Sequence, residues 1–144
     1  MGHEYLTEKR LRVLDPQLHS QYKNCVVVSN QMLSRYQSKF PEYTDHSTLH
    51  TLEIVDTCNA LIGDQIERLT ADDLYVLLMG ALFHDVGMGI SEKDFCSFYG
   101  ENFSAEAGHV SKEELQELIR KSHHELSGWF LKKYWRVFDI PNDA

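Results

Sequence analysis

The sequence predicts an all-α fold, and three observations carry that expectation. Apolar residues recur at spacings of three and four along most of the chain. Only three prolines occur, Pro16, Pro41 and Pro141, each at the edge of an apolar-periodic stretch. No stretch alternates convincingly at period two, so strands are at most minor. A length of 144 residues fits one domain spanning 1–144, with a real but small core.

The elements follow in order. Asp15-Pro16 starts a long helix, because proline is well tolerated at the first helical position. Leu18, Tyr22, Cys25, Val26, Met32, Leu33 and Tyr36 then mark one amphipathic face, and Phe40-Pro41 ends it. A second helix begins near Thr44-Asp45-His46, carries Leu52, Val55, Cys58, Asn59 and Ile62 on one stripe, and stops at Gly63. Thr70 followed by Asp72 and Asp73 resembles an N-cap with acidic residues in the first turn. Leu74, Leu77, Leu78, Ala81 and Leu82 form the apolar face of that helix, which reaches His84-Asp85 and breaks at Gly87-Met88-Gly89. Residues 91–108 read as a long connection, with a short helix inside it as an open alternative. Ser111 and Glu114 form a capping box. The helix it opens carries Leu115, Leu118, Ile119 and His123; beyond Gly128, the stretch to Phe138 is either its continuation or a separate helix.

Composition excludes several classes. The net charge of -8 argues against a sequence-independent nucleic-acid binder, which needs a basic surface to release phosphate counterions. It leaves an anionic small substrate open, since a bound metal reverses the local field. Cys25, Cys58 and Cys96 are odd in number and far apart, which fits neither a disulfide scaffold nor a zinc ribbon. Free thiols suggest a reducing compartment, and with no signal peptide or apolar membrane-length run in view, the expectation is a cytoplasmic protein with no membrane contact. Composition is silent on oligomeric state, and an oligomer is compatible with it.

The chemistry concentrates in the histidines. His46 and His50 are four residues apart, which puts them on one helix face. His84-Asp85 are adjacent at the end of an apolar helix, and His123-His124 are adjacent on a later one. Adjacent residues on a helix point about 100 degrees apart, so neighbours converge on one ion only near a helix end. His84-Asp85, just before Gly87, has that position. Imidazole with carboxylate suits Mn, Fe, Co, Ni or Zn better than Mg or Ca. The bland readings compete with these: a histidine near a helix start can be a cap, His84 can be a buried ring bonded to a carbonyl, and Arg120 can be a solvated cation.

Two stretches resemble the HD superfamily of metal-dependent phosphohydrolases. Leu49-His50-Thr51-Leu52-Glu53-Ile54-Val55 is similar to its first motif, a His followed by an apolar stripe. Ala81-Leu82-Phe83-His84-Asp85-Val86-Gly87-Met88 is similar to the second, the His-Asp doublet that names the superfamily. Arg120 to Ser127 resembles a later His-containing helix of some branches, and Tyr43 to His46 an upstream extension of others. The resemblance covers roughly residues 40–130, with residues 1–40 expected as N-terminal helices packing on that part.

The resemblance implies a compact helical domain whose divalent metal is held by His50, His84 and Asp85, with His123 as a further ligand. It also implies hydrolysis of a phosphate ester, commonly a nucleotide. On this reading Asp85, His123 and His124 are the catalytic candidates, and Arg120 and His46 are the substrate-binding ones. The superfamily's late metal-binding Asp has no clear match. Asp139, in Phe138-Asp139-Ile140-Pro141, stands in an unlike context. The alternatives are then a domain incomplete at its C-terminus, a site completed by water or a partner chain, and a degenerate site. From another functional class comes a non-catalytic regulatory or interaction domain that retains its metal; a metal-free helical bundle is a third reading.

Overall fold

A computed structural model of the chain describes residues 5–34, 48–89, 92–102, 111–138 and 140. Among these residues every regular element is a helix, as the sequence predicts: α1 (Leu6–Leu14), α2 (Pro16–Leu33), α3 (Thr48–Ile62), α4 (Ala71–Phe83), α5 (Glu92–Asn102) and α6 (Lys112–Tyr134). Short 3-10 turns follow α3 and α4, over Gly63–Arg68 and Val86–Gly89.

The boundaries have the causes the sequence indicates. The Asp15 side chain accepts from the N–H groups of Gln17 and Leu18, and Pro16 occupies the first turn of α2. Thr70 caps α4 and Ser111 caps α6, each in a reciprocal capping box with Asp73 or Glu114. Such caps satisfy amide donors that a helix start leaves open. Gly63, at φ +48, lies where a side chain would be strained, and α3 gives way to the 3-10 turn there.

Of the two alternatives at Gly128 the structure takes the continuation: α6 runs unbroken through it to Tyr134. The stretch expected as a long connection holds the 11-residue α5. Phe95 and Phe98, three apart, are buried, and Phe98 meets Trp129 of α6 edge-on at 5.8 Å. Tyr134 of α6 also donates to the Asp94 carboxylate at 2.7 Å. Burial of one face against α6 thus stabilises a helix whose local sequence, with Gly100 and Asn102, is a weak former.

The core centres on α4. Its Leu74, Leu78, Leu82 and Phe83 are buried with Leu11 of α1, Tyr22 and Cys25 of α2, and Val55 of α3. α1 and α2 both pack on α4, and Ser29 of α2 donates to the Leu82 carbonyl. Phe83, Phe130 and Phe138 form an aromatic group with ring centroids 5.0 and 5.8 Å apart, which fixes the end of α4. No helix among the described residues is long and apolar enough to cross a membrane.

Candidate metal centre

The His-Asp doublet sits where α4 ends. His84 is the last residue bonded in helical fashion, its N–H donating to the Gly80 carbonyl. Val86–Gly89 then turns sharply, with the Met88 N–H on the Asp85 carbonyl at 2.9 Å. Leu82, Phe83, Val86 and Met88 are all buried, so the two functional side chains project from an anchored backbone.

That turn is held against α6 by a close crossing. A Cβ built on Gly87 would lie 2.3 Å from the His123 carbonyl oxygen and 2.9 Å from the Ser127 nitrogen, so only glycine permits the approach. Ser127 seals the crossing. Its hydroxyl accepts from the Gly87 N–H at 2.9 Å and is placed to donate to the carbonyls of His123, at 2.8 Å, and His84, at 3.0 Å. Ser127 carries no role in the sequence-based reading; the signal available was a small polar residue next to Leu126 on an otherwise apolar face.

The crossing brings three imidazoles around one carboxylate. Asp85 is 4% exposed. Its Oδ2 lies 3.0 Å from His84 Nε2 and 3.8 Å from His50 Nε2, and its Oδ1 lies 3.4 Å from His123 Nε2. His50, His84 and Asp85 each offer a ligand atom within 4.8 Å of the others, and this group could hold a metal ion. The His50 and His84 rings are tilted at 51°, with centroids 5.6 Å apart.

Hydrogen bonding sets the ring roles. His84 Nδ1 is 2.7 Å from the Ala81 carbonyl oxygen, and His123 Nδ1 is 2.6 Å from the Arg120 carbonyl oxygen. A carbonyl oxygen only accepts, so each Nδ1 carries the proton and each neutral ring turns the lone pair of Nε2 toward Asp85. A lone pair facing a carboxylate is repulsive unless a positive charge joins them, either a second proton on the ring or a cation. A hydrogen bond donated by the protonated His84 ring to the Asp85 carboxylate raises the His84 pKa above its ordinary value, against the opposing effect of burial. A divalent transition metal answers the same demand, and the donor set of imidazole nitrogens and a carboxylate oxygen fits one.

The other sequence candidates lie outside this group. His124, next to His123, points away from it: its Nε2 is 3.8 Å from Glu125 and the side chain is 66% exposed. Its ring meets that of His123 edge-on, as the turn of a helix requires for adjacent residues. Arg120 shares the face of His123, but its guanidinium makes two bonds to the Glu117 carboxylate, at 2.8 and 3.0 Å. His46 and Asp139 fall outside the described residues.

A helical domain that gathers two histidines and the doublet aspartate into one possible metal site is HD-like in fold and in site. The family model HD-CE matches residues 40–144, well over half of the chain, and the chain belongs to that family. No curated protein and no solved structure gives a match.

Proposed function

We propose that this domain is a metal-dependent phosphohydrolase acting on a phosphate ester, with a nucleotide as the substrate class that the HD resemblance implies. The observation that carries the proposal is the buried Asp85 carboxylate with histidine Nε2 atoms around both of its oxygens. His50, His84 and Asp85 would hold the divalent ion, drawn from Mn, Fe, Co, Ni or Zn. Such an ion, when bound, lowers the pKa of its water to about 7 in favourable sites and accepts charge from a phosphoryl oxygen.

The protein's own groups do the rest. Ala81 and Arg120 fix the tautomers of His84 and His123 through their carbonyls, so neither ring turns when substrate arrives. Asp85 orients water with the oxygen that faces His123. His123 is 32% exposed at its side chain; its neutral ring would supply a further ligand through Nε2, and its doubly protonated ring would give the Nε2 proton to the leaving oxygen. Arg120 would have to leave Glu117 to meet a phosphate, and His124 would act from the rim.

A second reading has one observation in its favour. The possible ligand group among the described residues contains a single carboxylate. A domain that retains the metal for stability or ligand sensing, without turnover, is consistent with that. The two readings separate in one experiment. Protein loaded with Mn or Fe is assayed against phosphomonoesters, phosphodiesters and nucleotides. Hydrolysis that disappears in Asp85→Ala supports the enzyme; full metal loading without turnover of any of them supports the retained metal.

A further inference from the structure

An open trough of about 930 Å³ lies between α4 and α6 and shares one residue, His84, with the metal centre; His50, Asp85 and His123 do not line it. His84 belongs to both: its Nε2 faces Asp85, and the residue lines the cavity. His124 and Ser127 line the same end. From there the walls run along two helix stripes, through Phe83, Gly80 and Tyr75 on α4 and through Gly128, Lys132 and Trp135 on the α6 side. Eight residues of helix from His124 to Lys132 span roughly 12 Å. A volume of this order is that of a small-molecule site.

The lining is selective. In a chain with 22 acidic and 14 basic residues, no Asp or Glu lines the cavity. Its charged side chain is Lys132, at the end away from His84, and it has no ion pair among the described residues. The walls between are aromatic and aliphatic, interrupted by two glycines. A Cβ at Gly80 or Gly128 would meet nothing within 4 Å, so both open into space. Glycine in a helix interior costs about 1 kcal/mol relative to alanine, and here two of them keep the trough wide.

We propose that this trough binds the organic group of the phosphate ester: a flat, apolar, preferably aromatic moiety laid along α4 and α6, with Lys132 attracting negative charge at its far end. This rests on the reading of the metal centre as the phosphate site, and it adds which side of that centre the rest of the substrate occupies. The apolar walls suit a flat ring, whereas a carboxylate-lined groove would repel an anionic ester.

The glycines supply a test that leaves the fold intact. Calorimetry compares 2-naphthyl phosphate, phenyl phosphate and inorganic phosphate, each with and without Mn, on the whole chain and on Gly80→Leu and Gly128→Leu. The trough predicts that naphthyl phosphate binds about tenfold more tightly than phenyl phosphate, with or without Mn. It also predicts that both variants remove this preference while Mn and inorganic phosphate bind as in the unaltered protein. Lys132→Gln should weaken naphthalene-2,6-disulfonate, a long dianion, more than naphthalene-2-sulfonate. Equal binding of naphthyl and phenyl phosphate, or a preference that survives in both leucine variants, overturns the trough. Failure of Mn to raise the affinity of any phosphate refutes the metal centre instead, and the naphthyl preference in Mn-free protein still decides the trough.

Discussion

Asp85 and Glu8 are buried almost equally, at 4% and 3% exposure, yet their surroundings differ in kind. Glu8 lies between α1 and α2, where the Tyr22 hydroxyl donates to it at 3.3 Å and the Lys23 ammonium stands 3.5 Å away. Burial, and then the Glu8 charge, raises the Tyr22 pKa, so its hydroxyl remains a donor. The charge is compensated within the protein. Asp85 instead faces imidazole nitrogens, which bring a compensating charge only when protonated or bridged by a cation. Burial of a carboxylate therefore does not mark a functional site; the protonation state of its neighbours does.

The sharpest way to break the comparison is to remove each carboxylate. Asp85→Ala should lower Mn affinity by at least about 100-fold, because loss of groups outside the ligand shell alone costs about 10–100-fold. Elemental analysis and a Mn titration check this. The stabilisation that Mn gives the unaltered protein, about 2.7 kcal/mol at a concentration 100 times Kd, should vanish with it. Glu8→Gln should bind Mn normally.

Gly87→Ala attacks the crossing rather than the charges. The new methyl would meet the His123 carbonyl, so α6 must move, at a cost of roughly 3 kcal/mol. Chemical denaturation measures that cost. Mn affinity should fall too, because His123 and the doublet separate. A variant as stable as the unaltered protein would show that the two backbones are not in contact.

Glu8→Ala tests the structural carboxylate. It leaves the buried Tyr22 hydroxyl without its acceptor, so stability should drop by about 1–3 kcal/mol at neutral pH. Metal content should stay unchanged. A loss of metal in Glu8→Ala would remove the distinction between the two sites.

The smallest effect is a pH dependence. The folded-state pKa of His84 is raised, so in metal-free protein its contribution to stability is full below the unfolded value near 6.5. That contribution is lost as pH rises through the folded value. Mn-loaded protein should show the opposite trend for metal retention, because His84 must be unprotonated to bind. Thermal melts between pH 5 and 8, with and without Mn, read both slopes, and Asp85→Asn should flatten the metal-free one.

The two regions also differ in how far the sequence reveals them. His50, His84 and Asp85 were legible because their residue types are rare in packing roles and their spacing fits two helices. The N-cap at Thr70 and the capping box at Ser111 were legible from local hydrogen-bonding chemistry alone, and the structure adds the reciprocal bond at Asp73. α1 was not singled out, because two of the three residues it buries, Thr7 and Glu8, are polar and apolar periodicity cannot register them. α5 was hidden for a related reason: its helical state depends on Phe95 and Phe98 meeting a helix far along the chain. The choice between His123 and His124 needed the rotation of α6 about its axis, which the Gly87 crossing sets and local sequence does not. Arg120, for which a substrate-binding role and a solvated cation are both open in the sequence, bonds to Glu117, a partner that helix spacing of three residues offers.

The Ser127 clasp carries a kinetic consequence. It joins residues 40 and 43 positions apart, to Gly87 and His84, and it sets the backbone on which His123 meets Asp85. Contacts of that separation close late, after local helices have formed. The complete histidine ring around Asp85 therefore exists only once α6 has docked. Added Mn should leave the refolding rate almost unaltered while lengthening the lifetime of the native state, so the ion acts as a brake on unfolding rather than a guide to folding.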